Sequence, residues 1–165
     1  MTGRTPIAGW EPPSATQRQS ILRSVKSIAM VGVSANPSRP SNFVATYLCS
    51  STTDYDVYFV NPTTTEILGQ PCVPSLEDLP VIPDLVDVFR KIEDVPEVAT
   101  EAVEIGARVF WTQFELWSPE AAEIVLDANM ELVMDRCIKI EHARFAGGLH
   151  LSGFDTGVID SRRNR

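Results

Sequence analysis

The chain has few cysteines and no long apolar run, and both shortages narrow its possible classes. Its 165 residues include three cysteines, Cys49, Cys72 and Cys137, which are widely spaced and form no C-x-x-C pair. This scatter argues against a disulfide framework or a zinc site, and we expect a reducing, cytoplasmic location. No stretch approaches the roughly 18 apolar residues of a membrane span, and the N-terminus lacks the apolar core of a secretion signal.

Positive charge is also scarce, because 14 Lys and Arg residues stand against 22 Asp and Glu residues, for a net charge of −8. This balance argues against nucleic acid and against an anionic membrane as partners. A polyanionic small molecule would need a few well-placed cations to overcome the overall negative field. The candidate cations in the central part of the chain are Arg39, Arg90, Lys91, Arg136 and Lys139.

Residues 27–41 combine a buried strand with a loop suited to phosphate. Ile28 to Val33 is short, apolar and rich in β-branched residues, which is typical of a parallel strand buried on both faces. The overlapping stretch GVSANPSRPS brings backbone N–H groups, hydroxyls and the Arg39 guanidinium to the start of a helix. These groups are suited to bind phosphate. A purely structural turn does not require a cation there, since the helix dipole disfavours it.

The rest of the chain alternates short apolar strands with amphipathic helices, which indicates an α/β fold. We predict a single Rossmann-like, doubly wound domain with a five-stranded, mainly parallel sheet flanked by helices. The five strands are predicted over 27–33, 56–60, 85–89, 107–111 and 131–134. Helix-start signals lie at Ser14, Pro40, Asp94 and Ser118, and a further helical segment is expected over 138–144.

Three regions are expected along the chain. Residues 1–13 lack periodicity and are predicted to be a flexible N-terminal arm, 14–145 form the domain, and 146–165 form a C-terminal tail. The irregular stretch 63–83 is expected to contain a short extended piece at 66–68 and one turn, without a further sheet strand.

The strand ends indicate which nucleotides are disfavoured, because ligands of such sheets bind beyond the carboxyl ends of the strands. The dinucleotide fingerprint G-x-G-x-x-G is absent. Asn61-Pro62 ends the second strand, where an NAD site has an acidic residue. No P-loop of the form G-x-x-x-x-G-K-[ST] occurs. An NAD(P) site is therefore disfavoured, while a phosphate-bearing ligand remains favoured.

Several strand-end motifs, in this order, resemble those of the stand-alone CoA-binding proteins. They are VGVSANPSRPS, VNPTTTEILGQPCVPSLEDLP, DLVDVFRKIEDVPEV, and VFWTQFELWSPEAAEI running into MDRCIKIEHAR. The resemblance covers roughly residues 15–145, and these proteins are similar to the CoA-binding domain of the succinyl-CoA synthetase alpha subunit. It implies a Rossmann-like cytoplasmic domain that binds coenzyme A or an acyl-CoA without catalysis of its own.

The resemblance also implies which residues contact the ligand. The loop around the CoA phosphates would be formed by Gly32, Val33, Ser34 and Arg39, with a hydroxyl from Ser41. The other expected contacts come from later strand ends: Asn61 and Pro62 beside the adenosine, Phe89 and Arg90 at the next strand end, and Gln113 on the pantetheine side. One departure is Phe114-Glu115-Leu116, where the family usually has a Gly-containing turn. A carboxylate there would crowd or repel the ligand.

Two other functions stay open. One is an enzyme, either an NAD(P)-using oxidoreductase or a thiol enzyme built on Cys137 with Glu141 and His142. Spacing alone provides neither a hydrogen-bonded base nor an oxyanion site for such a thiol. The other is an interaction protein with an altered nucleotide pocket, and exposed edge strands permit a homodimer or a protein partner.

Two further pairs of side chains have structural interpretations. Asp135 and Arg136 are expected to hold an ion pair. Trp111 and Trp117 flank Gln113 and are expected to be core residues rather than a stacking platform for adenine. No set of residues has a spacing that indicates convergent metal ligands.

Overall fold

A computed structural model describes residues 4–146, which form a seven-stranded sheet with helices on both faces. The helices are α1 (Ala15–Ser24), α2 (Pro40–Leu48), α3 (Val95–Ile105), α4 (Pro119–Asp127) and α5 (Ile138–Ala146). The strands are β1 (Ser27–Val31), β2 (Asp56–Val60), β3 (Glu66–Ile67), β4 (Gln70–Val73), β5 (Leu85–Val88), β6 (Val109–Thr112) and β7 (Glu131–Val133). Short 3-10 turns lie at Leu76–Asp78 and Ile92–Asp94. Within the described residues, no helix has the length and apolar character needed to cross a membrane.

The strand order in the sheet is β3-β4-β2-β1-β5-β6-β7, and every neighbouring pair except β3–β4 is parallel. Numbered along the chain, the six parallel strands lie in the order 3-2-1-4-5-6, which is the order of doubly wound dinucleotide-binding sheets. The order reverses between β1 and β5. The crevice at the carboxyl ends of these two strands is where such sheets bind their ligands.

The prediction of five strands is wrong, because β3 and β4 add a hairpin at one edge of the sheet. The extended piece expected at 66–68 corresponds to β3, and β4 pairs in parallel with β2. Leu68 and Gly69 both have positive φ, 52° and 77°, as in the two-residue turns that suit hairpins. Pro71 lies within β4 and weakens its strand signal, so that the strand depends on pairing partners that a local pattern does not reveal.

Two apolar cores explain why the central strands read as continuous apolar runs. Helices α1, α2 and α5 cover one face of the sheet, where Ile21, Val44, Leu48 and Ile138 pack against Met30 and Trp111. Helices α3 and α4 cover the other face, where Val98, Ala102, Ala122 and Val125 pack against Phe110. Strands buried on both faces have no polar side and therefore no alternation.

The helix-start signals are confirmed in part. Ser14 and Gln17 form the expected capping box, and the Ser118 hydroxyl accepts a hydrogen bond from the N–H of Ala121. Asp94 is different: it is the N-cap residue of α3, but its side chain makes no capping hydrogen bond. Its carboxylate instead accepts a hydrogen bond from the Arg90 guanidinium at 3.1 Å.

The segment expected to be a flexible arm contacts the domain over the described residues 4–13. The Trp10 and Trp117 rings lie 5.8 Å apart, and Trp117 Nε1 donates to the Thr5 carbonyl at 2.9 Å. The Arg4 guanidinium pairs with Asp135 and lies over the Trp117 ring. Residues 1–3 and 147–165 lie outside the described part, and so does all of the predicted tail except its first residue.

Candidate functional site

A cavity of about 830 Å³ lies at the carboxyl edge of the sheet, where the strand order reverses. Its volume is within the range of about 300–1,000 Å³ typical of small-molecule sites. The wall is formed by loops after β1, β2, β5 and β6 and by the starts of α2 and α5. Of the predicted contact residues, those that line it are Gly32, Ser34, Arg39, Ser41, Asn61, Phe89, Arg90 and Gln113.

Two predicted contact residues, Val33 and Pro62, are not among the lining residues. The Val33 side chain is fully buried in the core beneath the cavity, because it continues the apolar run of β1. Pro62 is exposed, next to Asn61 at the end of β2. The roles of all ten residues in ligand contact stay predictions.

Gly32 allows β1 and β5 to approach each other closely at the cavity. Its φ is 94°, and a Cβ atom at this position would lie 2.6 Å from the Phe89 carbonyl oxygen and 2.8 Å from Arg90 Cδ. Such distances exclude a side chain unless the backbone shifts. Glycine is therefore required here both for its left-handed conformation and for its lack of a side chain.

The loop between β1 and α2 is held by its own polar groups. The Ser34 N–H donates to the Ser41 hydroxyl at 3.0 Å, and the Asn42 amide donates to the Ser34 carbonyl at 2.8 Å. Arg39 is the N-cap residue of α2, and its side chain makes no capping hydrogen bond. The first turn of α2 therefore faces the cavity without a side-chain cap, which is an arrangement suited to an anion.

The charged side chains that line the cavity are all cationic: Arg39, Arg90 and Lys139. No Asp or Glu is among its lining residues in the described part of the chain. Arg90 is paired with Asp94, but both side chains are about one-third exposed, so this pair contributes little stability. Arg39 makes no ion pair with another described residue, and Lys139 Nζ lies 6.0 Å from the Tyr47 ring centroid.

Asn61 and Gln113 organise the strand ends with their side-chain amides. Asn61 Nδ2 donates to the Val33 carbonyl at 2.8 Å, and its Oδ1 accepts from the Thr63 N–H at 2.9 Å. Gln113 Oε1 accepts from the Ile138 N–H at 3.2 Å and thereby ties the end of β6 to the start of α5. Both residues consequently have a structural role in addition to any ligand contact.

Sequence reasoning missed the apolar part of the cavity wall. Phe43, Phe114 and Ile140 line the cavity and are 55%, 55% and 43% exposed, and Leu116 and Cys137 also contribute. Phe43 had one usable signal, since it lies off the helical face formed by Val44 and Leu48. The position of α5 against α2 had no signal in the sequence, because it depends on packing between distant parts of the chain.

Glu115 does not occupy the wall where crowding was expected. Its side chain is exposed and is not among the lining residues, whereas its neighbours Phe114 and Leu116 are. Glu115 has a φ of 68°, the left-handed conformation in which glycine is favoured. Its N–H donates to the Asp135 carboxylate, which holds the turn in place.

The groups considered as partners of a Cys137 nucleophile have their recorded hydrogen bonds elsewhere. The buried Glu141 accepts from Arg18 Nε at 2.6 Å, and His142 Nδ1 is hydrogen-bonded to the Tyr47 hydroxyl at 2.8 Å. Burial lowers the pKa of His142. In the described residues neither side chain is hydrogen-bonded to the Cys137 thiol, although Cys137 itself lines the cavity.

The predicted ion pair between Asp135 and Arg136 is wrong. Asp135 pairs with Arg4, and Arg136 lies 3.7 Å from the Glu141 carboxylate. Asp135 has a left-handed backbone, with a φ of 62°, and so departs from the extended conformation of the preceding strand. The structural interpretation of Trp111 is confirmed: it is fully buried, and its Nε1 donates to the Arg136 carbonyl at 2.8 Å.

Asp87 was not singled out from the sequence. It lies in β5, fully buried, next to Met30 of β1 and Trp111 of β6 in the sheet register. Neither carboxylate oxygen has a hydrogen-bond partner among the described residues. Burial raises its pKa well above the usual range and favours the neutral acid. The only local signal was an acid inside an otherwise apolar strand.

The fold and the cavity define the class: a small α/β protein whose mostly parallel sheet presents a ligand-sized cavity at its carboxyl edge. The model of the CoA binding domain family matches residues 26–143, and the chain belongs to this family. The family membership inferred from the strand-end motifs is therefore confirmed.

The chain is also similar to several relatives along most of their length. The uncharacterized protein YneT of Bacillus subtilis is 39% identical over 131 residues, which cover 79% of this chain and 96% of YneT. A hypothetical protein from Pyrococcus horikoshii OT3 is 36% identical with a TM-score of 0.77, over 88% of this chain and 99% of that one. The Thermus thermophilus protein cell-free ID.343 is 31% identical with a TM-score of 0.75, over 81% and 99%.

A likeness of fold alone extends to a larger enzyme. The dinucleotide-forming acetyl-coenzyme A synthetase 1 of Ca. Korarchaeum cryptofilum is 22% identical, with a TM-score of 0.57. The match covers 65% of this chain and 25% of that one, so the shared part is one portion of the synthetase.

Proposed function

We propose that this chain binds coenzyme A or an acyl-CoA in the cavity, as a Rossmann-like nucleotide domain and without a covalent step. The observation that carries the proposal is the charge of the cavity wall. The chain has a net charge of −8, yet the charged side chains among the described lining residues are all cationic. Family membership supplies the ligand class, since CoA has a pyrophosphate and a further phosphate.

The wall supports one orientation of CoA. Arg39 and the uncapped start of α2 lie beside the end of β1, where the pyrophosphate would accept hydrogen bonds from N–H groups and from the guanidinium. Asn61 and Thr63 would border the adenosine at the end of β2. Gln113, at the end of β6, would then border the pantetheine arm.

NAD is a weaker candidate for the same cavity. An NAD site uses a carboxylate at the end of the second strand to accept hydrogen bonds from the ribose. Asn61 stands there, and its side-chain oxygen already accepts from Thr63. The ribose hydroxyls would therefore lose the acceptor that gives NAD sites their selectivity.

A calorimetric titration with CoA, repeated with NAD, tests the proposal. We expect a saturable one-site isotherm with CoA and no heat of binding with NAD. A response to NAD that competes with CoA would favour the oxidoreductase alternative. No heat of binding with either ligand would overturn the proposal and favour the alternative that the chain is an interaction protein with an altered nucleotide pocket.

The absence of a covalent step is tested separately with acetyl-CoA. Because Glu141 and His142 make their hydrogen bonds to Arg18 and Tyr47, we assign no base to the Cys137 thiol. Incubation with acetyl-CoA is expected to release no free CoA thiol above the buffer rate and to leave the protein mass unchanged. Release that disappears in a Cys137→Ser variant would overturn this part. Cytoplasmic location and a homodimer also stay predictions.

A further inference from the structure

The cavity wall contains a cluster of exposed large apolar side chains. Phe43, Phe114 and Ile140 are among the large apolar side chains that are more than 40% exposed, and all three line this one cavity. Leu116 lines it as well. Clustered exposed apolar side chains indicate a binding surface, whereas single scattered ones are ordinary. The remaining exposed large apolar residues of the described chain, such as Ile82, are not in this wall.

Two of the three exposed apolar side chains lie far along the sheet edge from the phosphate-binding loop. Along the sheet edge, β2 and β1 bring Asn61 and Arg39, whereas β6 and the start of α5 bring Phe114 and Ile140. Three strand spacings separate β2 from β6, which corresponds to about 14 Å. Phe43 lies on α2, which packs against α5. The wall therefore has Arg39 and Asn61 at one end and the apolar side chains of Phe114 and Ile140, with Lys139 and Gln113 beside them, at the other.

We propose that the ligand is an acyl-CoA with an apolar acyl chain, which packs on Phe43, Phe114 and Ile140. This inference rests on the proposed function, because phosphates held near Arg39 direct the pantetheine arm past Gln113 towards Phe114 and Ile140. An apolar chain is favoured over a partner protein because the apolar side chains continue the wall of the same cavity. A ligand with phosphates and an apolar chain matches both the cations and the apolar side chains of that wall.

The acyl chain contributes binding energy in proportion to the apolar surface it buries. Each methylene group that becomes fully buried is expected to raise the affinity by about fourfold. The gain should end where the chain extends beyond the apolar wall. Free CoA ends in a thiol and would leave Phe114 and Ile140 in contact with water.

The test compares CoA with acetyl-, butyryl-, hexanoyl- and octanoyl-CoA in titrations of the full chain. In the unaltered protein, affinity is expected to rise with chain length. In Phe114→Ala and, independently, Ile140→Ala, the ratio of octanoyl-CoA to CoA affinity is expected to fall by several-fold. Ile82→Ala is the matched control, since Ile82 is 64% exposed and lies outside the cavity wall, and its ratio should not change.

The outcomes separate this inference from the proposed function. CoA and octanoyl-CoA binding equally well would overturn the acyl inference and leave CoA binding intact. A rise with chain length that persists in both cavity variants would place the acyl group elsewhere and overturn the assigned site. If neither ligand binds, the proposed function is overturned and this inference with it.

Discussion

The two edges of the parallel sheet use similar residues for different purposes. At the amino edge, Arg108 donates to the Ser24 carbonyl at 3.2 Å and lies 3.4 Å from the Glu131 carboxylate. At the carboxyl edge, Arg39 lines the cavity and makes no ion pair with another described residue. The amino-edge Arg108 thus satisfies the protein's own polar groups, whereas the carboxyl edge leaves Arg39 available to a ligand.

Two aspartates around β5 repeat this contrast. Asp84, just before the strand, accepts hydrogen bonds from the N–H groups of Lys26 and Ser27 at 2.8 and 3.3 Å. Asp87, three residues further towards the carboxyl edge, is fully buried and has no partner among the described residues. Asp84 is therefore matched by hydrogen-bond donors and Asp87 is not, so matched substitutions can separate structural roles from ligand roles.

The largest effect is expected for glycine, through Gly32→Ala compared with Gly106→Ala. Both glycines are left-handed, with φ of 94° and 84°, but a Cβ at Gly106 would meet nothing within 4 Å. The conformation alone costs about 1 kcal/mol, whereas the backbone contact at Gly32 raises the loss of stability to about 3 kcal/mol or more. Urea unfolding measures both variants. Equal losses would show that the approach of β1 to β5 does not restrict this position.

The next effect is on ligand affinity, through Arg39→Ala compared with Arg108→Ala. Loss of a charge-assisted contact to phosphate is expected to weaken CoA binding by about 10- to 100-fold, with stability changed by less than about 0.5 kcal/mol. Arg108→Ala should leave CoA affinity unchanged, because Arg108 lies at the opposite edge. Calorimetry with CoA checks both variants. Unchanged affinity in Arg39→Ala would remove Arg39 from the site.

A smaller effect, dependent on pH, is expected for Asp87→Asn. The folded state keeps the Asp87 proton, because burial raises its pKa, while the unfolded chain releases it above about pH 4. Stability is therefore fully present below about pH 4 and falls as pH rises towards the folded pKa, by up to about 1.4 kcal/mol per pH unit.

Asp87→Asn removes this titration, so the variant should be more stable than the parent at neutral pH and should lack this loss. Asp84→Asn should behave in the opposite way and lose about 1 kcal/mol, because it weakens the acceptor of two N–H groups. Urea unfolding at several pH values compares the two. An Asp87→Asn protein that keeps the parent's pH dependence would mean that the buried carboxyl is not its source.

The sequence correctly predicted the structural features that depend on residues close together in the chain. The apolar runs located five of the strands, and the turn and cap residues placed Arg39 and Ser41 at the start of α2. The convergence of these strand ends on one cavity followed from the rule for parallel sheets. The hairpin of β3 and β4, with Pro71 inside it, depends on pairing with β2 and so has no strong local signal.

Features that depend on distant packing were missed for the same reason. Ile140 reaches the cavity because α5 packs against α2, and Trp10 contacts Trp117 across more than half the chain. The burial of Asp87 could not be predicted, because an acid within an apolar run is compatible with either an exposed or a buried side chain. Only the sheet register places it between Met30 and Trp111.

The smallest effect is expected for Glu115→Gly compared with Asn129→Gly. Both residues have a left-handed backbone, with φ of 68° and 61°, one beside each edge of the sheet. Asn adopts this conformation at a lower energetic cost than Glu, so Glu115→Gly should gain up to about 1 kcal/mol of stability and Asn129→Gly nearly none. Thermal or urea unfolding measures the difference.

Glu115→Gly also tests whether the departure from the family's Gly-containing turn affects the ligand. The Glu115 side chain is exposed and outside the lining residues, so its charge is screened by salt, and CoA affinity should change by less than about twofold. A severalfold tighter complex would mean that the carboxylate repels the phosphates after all. The carboxyl edge would then contain an anionic group that opposes its cations, and the contrast between the two edges would be weaker than the charges of the cavity wall indicate.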